Sequence, residues 1–297
     1  GLPAILSVVL ALGVQRMATR KAVVKKLTSV ETLGSASVIC SDKTGTLTRS
    51  EMTVQEVVTA SGTCVVTGIG YAPDGEVAPD ADRDGRPDAD RLEGPLRDEV
   101  TVVLSGGALA SDAELTVTED VWSVVGDPTE GAFLVAEKKL GTHGHREGRF
   151  GRIGEVPFTS ERKMMSVLLT DTAHGTVIMS KGAPDVLMEH CARVRVGDAD
   201  TELTAQARAR FVEHIADMSG RALRTLGVAY RVLTDEEAAR ARRAADSVGG
   251  ADLSDLERDL VLAGVVGIID PPRPEAAAAV AEAHRAGVRV LMITGDH

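Results

Sequence analysis

At 297 residues the chain has room for roughly two domains by a rule of ~150 residues each. Its 43% apolar content supplies real cores, and these must be aliphatic because only 2% of residues are aromatic. A formal net charge of −11 argues against nucleic acid as a partner, since such binders present a basic face, and the scattered Cys40, Cys64 and Cys191, with no C-x-x-C pair, favour a reducing compartment without a structural zinc site.

Residues 2–14 (LPAILSVVLALGV) form an apolar run shorter than the ~20 residues a bilayer span needs. Arg16, Arg20, Lys21, Lys25 and Lys26 follow it. Apolar then basic fits the cytoplasmic end of a membrane helix, with a buried amphipathic helix as the alternative; no signal peptide is visible. Residues 37–40 read as a buried strand that turns polar at Asp42, the head of the run DKTGTLT. In open parallel sheets ligands gather at the carboxyl ends of strands, so Asp42 stands where a nucleophile would. A carboxylate can attack a phosphoryl group to form an acyl phosphate, splitting one hard displacement into two. Lys43 is either a cation toward phosphate or a solvent-facing charge, and Gly45 permits close approach or a positive φ.

Short β-rich runs (VQEVVTA, TCVVTGIG) occupy 54–69 with a glycine-containing turn. The acidic, Pro- and Gly-dense stretch over 72–94 reads as a solvated loop. Within it Asp80, Asp82, Asp84 and Gly85 imitate the start of a calcium loop, but the twelfth position holds Arg91 instead of a bidentate Glu, so a mobile acidic loop is expected. Residues 96–111 and 129–140 have helical periodicity. THGHREG (142–148), with His143 and His145, reads as a loop and not a metal site. EVPFTSERKMMSVLLT (155–170) and TVIMSKGAP (176–184) alternate like strands, which puts Phe158 on a strand.

Helices are predicted over 203–219 and 235–247, with Thr204 and Thr234 as N-caps. VLAGVVGIID is a strand ending at Pro271-Pro272, EAAAAVAEAHRAG a helix, and VRVLMITGD a buried strand with Asp296 at its end. Two pieces of one parallel sheet therefore flank a long mixed insert. No G-x-x-x-x-G-K-[ST] string occurs, which excludes a P-loop.

SDKTGTLT (41–48) resembles the phosphorylation motif of P-type cation-transporting ATPases. KGAP (181–184), DPPR (270–273) and TGDH (294–297) resemble further motifs of that family in its order, and residues 1–34 resemble the end of the fourth membrane helix and stalk of type II pumps, the calcium-transporting kind above all. The resemblance implies an α/β fold: an incomplete haloacid-dehalogenase-like (Rossmann-like) phosphorylation domain with an inserted α+β nucleotide-binding domain of antiparallel sheet and helices. The implied bounds are 1–27 for the helix end and stalk, 28–50 and 272–297 for the two parts of the phosphorylation domain, and 51–271 for the insert.

By the same resemblance Asp42 takes the γ-phosphate of ATP, with Mg²⁺ held by its carboxylate and the Thr44 carbonyl. Lys43 and Thr44 belong to this catalytic group, as do Thr294, Gly295 and Asp296, the first two bonding the transferred phosphate. Phe158 stacks on adenine with Glu130, Lys163, Lys181 and Gly182 around the base, Arg224 and Leu226 face the nucleotide, and Asp270 and Arg273 reach toward it from a hinge. Ser160 departs from the reticulum-type pumps, which carry a basic residue there. Soluble phosphatases of the haloacid dehalogenase superfamily place an acid–base aspartate two residues after the nucleophile. Thr44 cannot shuttle protons near pH 7, so a lasting phosphoenzyme is expected. The chain then reads as the central cytoplasmic fragment of a multi-pass membrane pump moving a cation, Ca²⁺ first. An ATP-binding module without turnover and a soluble phosphatase are the alternatives.

Overall fold

The computed structural model describes residues 2–26, 29–88, 91–146, 148–245 and 253–294. Gly295 and Asp296, the last two residues of the helix expected over 235–247, and residues 89–90 of the acidic stretch lie outside them. In chain order, helices α1 (Leu2–Thr19) and α2 (Ser29–Gly34) lead to strand β1 (Val38–Asp42). Strands β2 (Thr53–Val58), β3 (Thr63–Val66) and β4 (Val77–Pro79) precede helix α3 (Gly94–Leu109), the hairpin β5 (Glu114–Thr118) and β6 (Val121–Val125), and helix α4 (Pro128–Leu140). Strands β7 (Phe150–Val156), β8 (Met164–Asp171) and β9 (Gly175–Gly182) then form a meander, followed by α5 (Pro184–Glu189). After β10 (Cys191–Val196), β11 (Ala199–Glu202), α6 (Ala205–Gly220), β12 (Arg224–Val232), α7 (Asp235–Ala245) and β13 (Leu260–Ile269) come α8 (Pro274–Arg285) and β14 (Arg289–Ile293).

These elements form two compact units, residues 1–49 with 272–297, and residues 50–271. In the smaller unit β1 and β14 pair in parallel, Asp42 opposite Ile293. A parallel pair needs a crossover connection, and here it comprises everything from β2 to α8. Both strands were expected to be buried, and this is corrected: Ile39, Leu291, Met292 and Ile293 are about half exposed or more, because the two form a sheet of only two strands among the described residues. Along α1, Ile5, Leu6, Val8, Val9 and Leu12 are also exposed. No helix among the described residues is long and apolar enough to cross a membrane.

The larger unit is built on a sheet that has ten strands among the described residues, in the order β4-β3-β2-β13-β12-β9-β8-β7, with β10 and β11 attached through a short parallel pairing of β10 to β13. Every other pairing is antiparallel. On one face α3 and α4 bury Val100, Leu104, Phe133 and Ala136 against Val167, Met179, Val228 and Val266. On the other, α5, α6 and α7 bury Leu187, Met218, Phe211 and Ala241 against Leu168, Ile178, Ala229 and Val265. Strands covered on both faces lose the polar-out alternation. Accordingly β8 and β13 are buried almost throughout, where alternation had been expected for β8.

Helix boundaries follow local chemistry. Asp127 caps α4, its carboxylate accepting from the amides of Thr129 (2.7 Å) and Glu130 (3.3 Å), with Pro128 at the tolerated first position and Gly141 left-handed at the far end. Thr204 caps α6 through the Ala207 amide. Thr234 and Glu237 exchange bonds in a capping box at α7.

Further expectations are corrected. Phe158 lies not on a strand but in the connection between β7 and β8, because Pro157 lacks the N–H that would continue the ladder. The acidic stretch contains β4, and Asp80 is buried rather than solvated, its carboxylate accepting from the amides of Asp84 (3.0 Å) and Gly85 (3.1 Å). The hairpins β5–β6 and β10–β11 and strand β12 occupy stretches to which no element was assigned.

Candidate functional site

In the smaller unit the run after Asp42 forms a single wide turn over Lys43–Leu47, in which Thr44 is extended and Gly45 has φ +75°, a conformation that favours glycine. Thr48 ties the turn shut: its hydroxyl accepts from the Gly45 amide (3.1 Å) and donates to the Lys43 carbonyl (3.1 Å). Arg273, expected to reach a nucleotide, donates from its guanidinium to the Gly45 carbonyl (3.0 Å) and from its amide to that of Leu47 (2.8 Å). It therefore braces the turn. Thr294 directly follows Ile293, the partner of Asp42, so both stand at the carboxyl ends of their strands.

In the larger unit a cavity of about 170 Å³ is lined by Asp127, Thr129, Glu130, Phe158, Met165, Lys181, Gly182, Arg224 and Leu226. Six expected residues thus meet on one surface: Glu130 from the first turn of α4, Lys181 and Gly182 from the end of β9, Arg224 and Leu226 from the start of β12, and Phe158 from its loop. Adjacent antiparallel strands explain the grouping, since Lys181 pairs with Val228 and Gly182 with Gly227. Phe158 is 56% exposed, unlike the buried Phe133 and Phe211 of the two cores.

Lys181 is buried, and its Nζ donates to Glu130 Oε1 (2.8 Å) and Ser111 Oγ (3.0 Å). Burial pulls the ammonium pKa down, and the Glu130 carboxylate opposes this. The other Glu130 oxygen accepts from the amides of Asp112 (2.8 Å) and Ala113 (3.1 Å). Gly182 is required by close packing, for a Cβ there would stand 2.5 Å from the Lys163 carbonyl oxygen and from Met164 Cβ.

Lys163 is not among the cavity-lining residues; its backbone is left-handed (φ +53°) and its carbonyl accepts from Ala183 (2.9 Å). Asp270, also outside the cavity, is half-buried after β13. Burial first, then the charges of Glu51, Asp270 and Asp127, raise the pKa of Tyr71. Sequence reasoning missed Asp127, Thr129 and Met165 in the cavity wall. The Asp127-Pro128 pair ahead of the helical run was a usable N-cap signal.

The family model described as "P-type ATPase, cytoplasmic domain N" matches residues 99–275. The chain is 39% identical over 298 residues to a calcium-transporting ATPase of Bacillus subtilis, covering 100% of this chain and 31% of that protein. It is 38% identical over 305 residues to the cation-transporting ATPase pma1 of a Synechocystis strain, covering 100% and 31%. It is 36% identical over 300 residues to the calcium-transporting ATPase type 2C member 1 of Bos taurus, covering 100% and 28%. The chain spans less than a third of the length of each of these relatives.

Proposed function

We propose, because the chain belongs to the P-type cation ATPase family, that it is the nucleotide-binding and phosphorylation region of an ATP-driven pump whose transported cation is calcium. The observation that carries the reading is the meeting of Glu130, Phe158, Lys181, Gly182, Arg224 and Leu226, spread over the insert, around one cavity. An exposed aromatic ring beside a carboxylate, a buried ammonium and a guanidinium suits a purine base, which stacks on the ring and bonds by its polar edge. The names of the Bacillus and Bos relatives support calcium.

The larger unit recognises the base, and the smaller unit, read as the haloacid-dehalogenase-like part, accepts the phosphoryl group. One Asp42 oxygen attacks the γ-phosphorus, the bond from phosphorus to the β-phosphate oxygen breaks, and ADP leaves with that oxygen's charge. Thr44 offers no proton shuttle, which supports a lasting acyl phosphate over rapid phosphatase turnover. Mg²⁺ prefers one or two protein oxygens supplemented by phosphate and water. The donor set of the turn, the Asp42 carboxylate and the carbonyl of the extended Thr44, fits that preference. When bound, the ion neutralises charge on the phosphate oxygens. The apolar exposed face of α1 supports its reading as the end of a membrane helix.

Calorimetric titration of the chain with ATP tests the base-recognition half: saturable binding is expected, and its absence at millimolar ATP contradicts the reading.

A further inference from the structure

The ring of Phe158 is 56% exposed, so where it stands depends on how the loop over 157–163 is held. Within the loop the Thr159 hydroxyl accepts from the Arg162 amide (3.2 Å) and the Thr159 carbonyl from the Lys163 amide (2.8 Å). These bonds make a turn, and the Lys163 carbonyl, accepting from the Ala183 amide (2.9 Å), ties its far end beside β9. The Arg162 side chain ties down its near end. Its Nη1 donates to the Pro157 carbonyl (2.8 Å), directly before Phe158, and its Nη2 donates to both carboxylate oxygens of Glu257, 95 residues away in sequence.

Glu257 is itself fixed. Its side chain is 2% exposed, its backbone carbonyl accepts from His190 Nδ1 (2.5 Å), and its Oε1 accepts from the Ser166 hydroxyl (2.5 Å). Ser166 Oγ lies 2.7 Å from Ser180 Oγ. With the Ser166 hydrogen committed to Glu257, Ser180 must donate to Ser166. Ser166 and Ser180 are fully buried cross-strand partners on β8 and β9, and Ser180 immediately precedes Lys181. A chain of hydrogen bonds that converges on the Glu257 carboxylate thus links β9, beside the cavity lysine, through Ser166 and Glu257 to Arg162 and the carbonyl next to Phe158.

A buried ion pair is a poor device for stability, since apolar residues of similar volume serve as well or better. A guanidinium that holds a backbone carbonyl with one nitrogen and a buried carboxylate with the other is a good device for fixing geometry, since its planar fork sets the angle between them. We infer that Arg162 and Glu257 are positioning residues that hold the Phe158 ring at a set height over the cavity floor, so that a base enters a preformed slot. Preorganisation of this kind raises affinity by removing an ordering cost from the binding step. The inference rests on the nucleotide reading of the cavity.

The test is a double-mutant cycle on the 297-residue chain, with ATP affinity measured by calorimetry. Arg162→Ala should weaken ATP about tenfold when Phe158 is present, within the range of aromatic stacking. In a Phe158→Ala background the same change should cost less than about twofold, because the ring it positions is gone. Arg162→Lys, which keeps a charge opposite Glu257 but not the fork, and Glu257→Gln are taken through the same cycle, so a poorly folding Arg162→Ala does not end the test. A residue that merely stabilises the fold would give equal losses in both backgrounds; that result, or unchanged affinity in the folded variants, overturns the inference. Should Phe158→Ala by itself leave ATP affinity unaltered, the nucleotide reading has failed, an outcome distinct from additivity.

Discussion

Lys181 on β9 and Glu130 on α4 form a pair at 2.8 Å whose side chains are only 7% and 13% exposed. Lys181 Nζ also lies 5.9 Å from the centre of the Phe133 ring. Removing one partner of such a pair leaves an uncompensated buried charge and typically costs ~3–5 kcal/mol. Glu130→Ala should therefore destabilise the larger unit by about 3 kcal/mol in urea denaturation, since it also strips the acceptor from the amides of Asp112 and Ala113. A loss below about 1 kcal/mol would mean that Lys181 finds another partner or is solvated.

The stacking role predicts a specific loss of affinity. Phe158→Ala should weaken ATP by ~1–3 kcal/mol, the range seen for a base on an aromatic ring. It should leave the melting temperature nearly unchanged, because the ring is more than half exposed. Equal calorimetric affinities for the two proteins would remove the stacking role.

Acid stability should report on Glu237. Bonds from Arg231, then from the Thr234 amide, bring its carboxyl pKa from 4.5 down to about 2 against the opposing effect of burial. A carboxylate depressed in the folded state contributes stability that is complete above its unfolded pKa and is lost as pH falls toward the folded one. The window is therefore pH 4.5 to 2, and the contribution is on the order of 3 kcal/mol. Asp171, held low first by Arg149, adds a loss with the same sign. Glu237→Gln should flatten this part of the stability–pH curve; an unchanged slope would show that the unfolded chain depresses the group equally.

Amide exchange should separate the two units. Core strands covered on both faces open only with the whole unit, whereas short strands with exposed faces open locally. Strong protection is expected over β8, β9 and β13, and weak protection over β1 and β14. Comparable protection in both sets would contradict the exposure seen at Ile39, Leu291 and Met292.

The phosphoryl half of the proposal is tested in the full-length protein. Acid quench after incubation with radiolabelled ATP should trap a hydroxylamine-labile acyl phosphate, absent in Asp42→Asn, which is nearly isosteric but a poor nucleophile. Thr44→Asp adds a proton shuttle near the acyl group and should lower the steady-state phosphoenzyme. Label that maps to another residue, or that forms normally in Asp42→Asn, would refute the assignment.

Much of this architecture could be read from residues, and the failures have physical causes. The apolar run ending at Asp42, the helical period of α3 and α4, and the caps Thr204 and Thr234 are local signals, and the corresponding elements stand where those signals put them. The β5–β6 hairpin escaped notice because its turn places Glu119 and Asp120 at positive φ, where Asn-Gly would have announced it. Strand β12 begins behind a left-handed Ala222, again with no turn residue as a flag. The cavity residues were legible only through family resemblance, since composition and period put Phe158 on a strand. Pro157 ends the strand ahead of it, and the bond that crosses from this loop, Arg162 to Glu257, joins residues too distant in sequence for any local pattern to reveal.

The most direct test of the central claim is to follow backbone amide resonances of the chain during titration with ATP. Shifts are predicted at Thr129 and Glu130, at Phe158, at Lys181 and Gly182, and from Arg224 to Leu226, saturating together at one affinity. Shifts concentrated instead around Arg149, Asp171 and Tyr230, which line a separate groove of the same unit, or no shifts at saturating ATP, would contradict it.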